Sequence, residues 1–163
     1  MRYNVPMTLL ALKIVVVLVA ALLLGAFLRT WQMEHSANQK LFGSGNIPNP
    51  APNGFYKGSV PGHTFSWLGK KFSAADSSEI NVFDAGNGAK GERYPFATSV
   101  GQGIRDTHLN VVKIDYNIPG NSFLMRLILD EIVEVAPGEY LGKLHVRIIP
   151  GYPFTLAYFK LSF

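Results

Sequence analysis

Four histidines, His35, His63, His108 and His145, are the side chains best suited to metal ligation or to proton transfer near neutral pH. None lies within a helical turn or a metal-ligand spacing of another, so the pattern predicts surface or loop histidines and implies no metal. Ser59, Ser66 and Ser99 sit in no nucleophile-elbow context. The glycine clusters at Gly86 to Gly88 and Gly101 to Gly103 lack the strand, loop and helix order that cradles a phosphate, and they read as turns. The chain has no cysteine, which excludes disulfides, thiolate metal sites, a thiol nucleophile and a lipidated cysteine. No cofactor is implied.

The polar residues that could do chemistry are those an alternating strand would turn inward. If Phe123, Met125, Leu127, Leu129, Val133 and Val135 form the apolar face of one long strand, Glu131 lies among them. If the other face is interior, it carries Arg126, Asp130 and Glu134 beside Ile128 and Ile132. A carboxylate or guanidinium inside a fold must be paired or solvated, because burying it bare costs several kcal/mol. Such a group is either a structural ion pair or the polar end of a ligand pocket, with acid or base work open to it. Arg105 and Asp106, which follow the second glycine cluster, have the same two readings: a loop salt bridge or a rim contact for a ligand.

Beyond Asn53 the chain breaks into short aromatic and β-branched runs separated by Gly, Pro and Asn, an all-β pattern. Strands are expected near Phe55 to Val60, Thr64 to Trp67, Glu79 to Asp84, Tyr94 to Val100, Leu109 to Asn117, Leu124 to Val135, Tyr140 to Ile149 and Phe154 to Leu161. About eight strands predict a mainly β domain, a small antiparallel barrel over residues 54–163. In Tyr140 to Ile148 the apolar positions alternate with Lys143, His145 and Arg147, which predicts one buried and one solvated face. Ile114 and Tyr116 alternate in the same way with Lys113, Asp115 and Asn117. Ala136-Pro137-Gly138-Glu139 predicts a hairpin turn, with φ preset at Pro137 and positive φ open to Gly138. Ser122 to Glu131 reads as strand, with a short helix capped by Asn121 or Ser122 as the alternative.

The domain's opening, Gly54-Phe55-Tyr56-Lys57-Gly58, resembles the first strand of lipocalin-like and other calycin barrels. Those barrels place a Gly-x-Trp there, with the indole plugging the base; Tyr56 stands where that Trp would be. The resemblance covers Gly54 to Phe163 and implies a cup for a hydrophobic small molecule or lipid. The aromatic-rich Tyr152 to Phe159 suits a closing strand whose rings fill such a cup or simply pack its core.

What should hold this domain is a stretch from Met7 to Leu28 whose one charge is Lys13. Its length approaches the ~20 residues a helix needs to cross a bilayer core of ~30 Å. No small-x-small cleavage site follows it, and Trp31 at its end suits an interfacial anchor, so residues 1–33 are expected to be an uncleaved transmembrane helix. Lys13 reads as a snorkelling interface marker. Arg2, the N-terminal amine and Lys13 face Arg29 and Lys40 across the span, a bias that puts the β-domain on the non-cytoplasmic side. Residues 34–53, with Pro48, Pro50 and Pro52, predict an extended linker.

The formal charge of +4 belongs to the membrane end: from Glu34 onward there are twelve basic and eleven acidic residues. A domain so balanced lacks the basic stripe of a nucleic-acid binder. The expected function is therefore a membrane-anchored β-domain binding a lipid or another hydrophobic small molecule, with Arg126, Asp130, Glu131, Tyr56 and Arg105 as candidate ligand contacts. Two other readings are an accessory subunit of a membrane complex, with Ala20, Ala21, Gly25 and Ala26 letting partner helices approach, and a small pocket enzyme such as an isomerase, cyclase or hydrolase.

Overall fold

A computed structural model describes residues 7–73 and 79–163; Arg2, part of the charge argument, lies outside them. Met7–Glu34 is one continuous helix, α1, about 42 Å long at 1.5 Å per residue. It is long and apolar enough to cross a membrane, and its apolar window is not buried by the rest of the chain. Its last turns behave differently. Thr30 is buried, its hydroxyl accepting from Thr155 N at 3.0 Å, and Arg29 Nε donates to Leu156 O at 2.8 Å. The Ser36 hydroxyl then caps a second helix, α2 (Ala37–Gly43), by accepting from Gln39 N at 3.3 Å.

The segment expected as an extended linker is thus partly a packed helix. Its prolines bar helix only from Pro48 onward, and the residues between Ser36 and Ser44 are free to coil. Phe42 of α2 is fully buried among Val111, Val133, Leu141 and Tyr158. Asn46 extends the attachment, exchanging backbone hydrogen bonds with Glu134 at 2.8 and 2.9 Å.

The remainder is antiparallel sheet: β1 (Gly54–Ser59), β2 (Trp67–Phe72), β3 (Ile80–Gly86), β4 (Ala89–Pro95), β5 (Ala97–Gln102), β6 (Asn110–Asp115), β7 (Ile128–Ala136), β8 (Glu139–Ile149) and β9 (Tyr152–Ser162). The nine strands pair in the order β4-β3-β2-β1-β9-β8-β7-β6-β5. Here the expected closed barrel of eight strands is corrected. Among the described residues β4 and β5 do not pair, so the ladder is open between them. Only Phe96 separates the two edge strands along the chain. A segment read as one strand, Tyr94 to Val100, is therefore the seam: its first part pairs with β3 and its second with β6. A chain that continues straight on cannot hydrogen-bond to itself across the gap.

The sheet is nevertheless strongly curled. Lys70 on β2 contacts Asp130 on β7, four places along the strand order, where a flat sheet would hold the strands about 19 Å apart at ~4.8 Å per strand. The concave face buries Tyr56, Phe72, Phe96, Ile114, Tyr116, Ile132, Tyr140 and Phe159. Each such side chain stabilises the fold by roughly 1.5–3 kcal/mol relative to exposure.

The convex face of β7 to β9 is buried as well, beneath the end of α1 and α2, and this corrects the expectation of a solvated face there. Lys143 and His145 are both 0 % exposed. Lys143 Nζ donates to Asp106 Oδ2 at 2.5 Å, and Gln39 of α2 donates to Asp106 Oδ1 at 2.7 Å. Of the four histidines, only His145 departs from the predicted surface position. The expected long strand starts at Ile128, preceded by a 3₁₀ turn at Met125–Leu127.

Candidate functional site

The site begins with an irregularity in β2. Trp67 pairs with Phe83 and Gly69 with Val82, so Leu68 is an extra residue and the alternation resets after it. Trp67, Lys70 and Phe72 consequently all turn to the concave face, while Lys71 points outward to Glu92 at 3.4 Å. Gly69 makes this geometry: its φ is +144°, and a Cβ there would lie 1.9 Å from Tyr56 O. A second bulge faces it. Ile80 pairs with Pro95 and Asn81 with Arg93, leaving Tyr94 unpaired at φ +56°. The Tyr94 carbonyl is held by Asn81 Nδ2 at 3.0 Å, and its ring turns toward the concavity.

Between these bulges lies a cavity of about 330 Å³, walled by Trp67, Phe83, Tyr94, Met125, Ile128 and Phe159. Its mouth is open, with Phe65 58 % and Tyr94 38 % exposed. Its deep end is polar. Lys70 Nζ donates to Asp130 Oδ2 at 2.8 Å, to Asn81 Oδ1 at 3.0 Å and to the Tyr116 hydroxyl. The same ammonium sits 5.1–5.5 Å from the ring centres of Trp67, Phe96, Tyr116 and Phe159, within cation–π range. Asn81 Nδ2 donates to Tyr116 OH at 2.9 Å, and Trp67 Nε1 to Asn81 Oδ1 at 3.1 Å. Asp130 Oδ1 is buried with no hydrogen-bond partner.

Burial pushes the Lys70 ammonium below its ordinary value, against the opposing pull of Asp130. Burial, and then the charge of Asp130, pushes Tyr116 well above its ordinary value and keeps the phenol protonated. The set therefore holds a cation, an anion and a neutral hydroxyl at the end of an apolar pocket. Chemically, it can orient one polar group of an otherwise apolar guest.

Of the five candidate ligand contacts named from sequence, Asp130 alone lines this pocket. Tyr56 is a concave-face core ring packed against Phe72, Tyr140 and Phe163 at centroid distances of 5.2–5.7 Å. Arg126 is exposed on the 3₁₀ turn and donates to Asn117 Oδ1 at 2.8 Å. Glu131 is on the convex face, accepting from Ile104 N at 2.6 Å and lying 3.3 Å from His145 Nε2. Arg105 pairs with Glu34 at the end of α1 and donates to Pro153 O at 2.9 Å. Asp106 pairs with Lys143, so Arg105 and Asp106 do not bridge each other.

Sequence reading missed Lys70 and Asn81, and saw Tyr116 only as an inward-facing ring. Strict alternation from Trp67 places Lys71 inside and Lys70 outside; the available signal was Gly69, since a glycine within an aromatic strand marks a bulge.

No protein-family model matches the sequence, and no curated protein sequence matches it. A solved crystal structure of a protein from Thermomonospora curvata is similar in fold, with a TM-score of 0.50 and 17 % identity over 76 % of this chain and 83 % of that one. That likeness extends to the fold alone.

Proposed function

We propose that the chain is a membrane-anchored β-domain that binds a small apolar molecule carrying one polar group. The observation that carries this reading is the pairing of an apolar cavity of about 330 Å³ with a buried polar end where Asp130 Oδ1 has no partner. The volume is at the small end of the ~300–1,000 Å³ range of ligand pockets. Transfer of the guest's apolar surface from water supplies the affinity at roughly 25 cal/mol per Å², and the polar end supplies orientation.

The anchor supports the same reading. Phe27 packs on Tyr152 and Phe154, Thr30 meets Thr155, and Phe42 of α2 packs on Tyr158, so the chain from the end of α1 into α2 runs along β9 in the same direction. A membrane span ending near Arg29 would then hold the β8–β9 turn next to the headgroups and the pocket within reach of molecules dissolved in the bilayer, on the non-cytoplasmic side. Protease added to intact cells should digest the β-domain; full protection would reverse that orientation.

Native mass spectrometry of the detergent-extracted full chain tests the binding reading. A co-purifying small apolar molecule is expected, and it should be lost in Ala157→Leu, which fills the cavity from β9. A wild-type chain that is empty after extraction and takes up no added apolar alcohol, aldehyde or acid would overturn it.

A further inference from the structure

Resting on the binding reading above, we infer that the pocket selects a guest whose polar end donates a hydrogen bond, an alcohol in preference to a carboxylate. Counting donors and acceptors at the deep end leads there. The three N–H groups of Lys70 go to Asp130 Oδ2, Asn81 Oδ1 and the Tyr116 oxygen. The Tyr116 proton has Asp130 Oδ2 at 3.2 Å and Asn81 Oδ1 at 3.3 Å. The Asn81 amide donates to Tyr94 O and Tyr116 OH, and the Trp67 indole to Asn81 Oδ1. Every donor there is engaged within the protein.

What is left over is one acceptor, Asp130 Oδ1. A buried acceptor without a partner is unfavourable, and a guest whose O–H reaches it, by a small shift of the pocket wall that Asp130 forms, relieves it. A guest that brings only an acceptor finds no free donor at that end. A guest carboxylate is worse, because it sets a second negative charge against Asp130 while the nearby cation is already paired. The usual logic of a buried lysine, that it recruits an acidic ligand, is therefore inverted: Asp130 has already occupied it.

The test uses the full chain in lipid nanodiscs with Trp31→Phe, which leaves Trp67 in the pocket wall as the one tryptophan. Quenching or enhancement of its fluorescence is titrated with three ten-carbon probes, 1-decanol, 1-methoxydecane and decanoate, at pH ~7.5, where the acid is ionised. Decanol is expected to bind at least about tenfold more tightly than either other probe, the factor a single buried hydrogen bond supplies. Asp130→Asn should erase the preference and raise decanoate affinity, since Lys70 then becomes free to pair with the guest. The wild-type series decides the matter if that variant does not fold. Decanoate or the ether binding as tightly as the alcohol would overturn this inference and leave the binding reading standing. If none of the three binds, the binding reading falls and takes this inference with it.

Discussion

Lys70 Nζ lies 2.8 Å from Asp130 Oδ2, with neither side chain more than 4 % exposed. The contact joins β2 to β7 across the concavity, so it is both part of the pocket and a clasp that the sheet's curvature makes possible. Desolvating two charges is costly enough that such a pair adds little net stability, whereas removing one member strands the other. Lys70→Met should therefore destabilise the domain by about 3–5 kcal/mol, and the double variant Lys70→Met with Asp130→Leu by much less. Urea unfolding of the four members of this cycle measures the difference. Additive losses would show that the two residues act independently.

The ionisable groups give the fold an acid limit and a separate component that rises with pH on the alkaline side. Burial pushes the Asp106 carboxyl up, but the hydrogen bond and charge of Lys143, with Gln39, outweigh it and hold it below its ordinary 3.8. Asp115 is likewise held low, with Arg147 and the Asn117 N–H outweighing its burial. Their stabilisation is complete above about 3.8 and is lost as pH falls through the lowered folded values. Lys70 acts at the other end. Its folded value lies below 10.5, so between the two the unfolded chain binds more protons and this group's contribution rises with pH. Urea midpoints should fall on acidification below pH ~4, less steeply in Asp106→Asn, and Lys70→Met should remove a rising component on the alkaline side. An acid limb unchanged by Asp106→Asn would refute the assignment.

These long-range pairings mark the boundary of what was legible in the sequence. The period-2 runs at Leu109 to Asn117 and Tyr140 to Ile149 announce β6 and β8, because a buried apolar face leaves that trace in a strand. The apolar stretch before Arg29 announces α1 in the same way. The pocket is less visible because its polar members are separated by 11 to 60 residues and meet only when the sheet curls. Lys70 stands beside Lys71, and composition cannot distinguish the buried lysine from the exposed one; a single bulge does. The convex face misled for another reason. Lys143 and His145 alternate as solvent-facing residues should, and the cover over them comes from a helix more than a hundred positions earlier.

Gly69 makes a sharp backbone prediction. At φ +144° and with Tyr56 O where its Cβ would go, alanine must both strain the chain and push β1 from β2. Gly69→Ala should cost about 3 kcal/mol or more and lower the melting temperature by roughly 10 °C. Gly25→Ala is the control: nothing lies within 4 Å of its added methyl group, and alanine favours helix. Circular dichroism melting of the two variants in detergent separates them, and equal melting temperatures would contradict the bulge geometry.

Arg105 has the form of a ligand-binding guanidinium but is fully engaged at the end of α1. It takes both carboxylate oxygens of Glu34, donates to Pro153 O, and lies 5.0 Å from the Tyr152 ring centre. The hydrogen bond to Glu34 raises its pKa further despite partial burial, so it remains charged at any working pH. Its neighbour Ile104 donates to buried Glu131, so the loop between β5 and β6 ties the end of α1 to β7. Arg105→Ala should loosen that junction, with amide exchange around residues 30–36 accelerating roughly tenfold, the effect of losing one charge-assisted hydrogen bond. Arg105→Lys should restore little, because an ammonium cannot reproduce the two-pronged contact. Decanol binding monitored at Trp67 should be unchanged in both variants. Weakened binding with normal exchange would instead make Arg105 a ligand contact and remove its role at the end of α1.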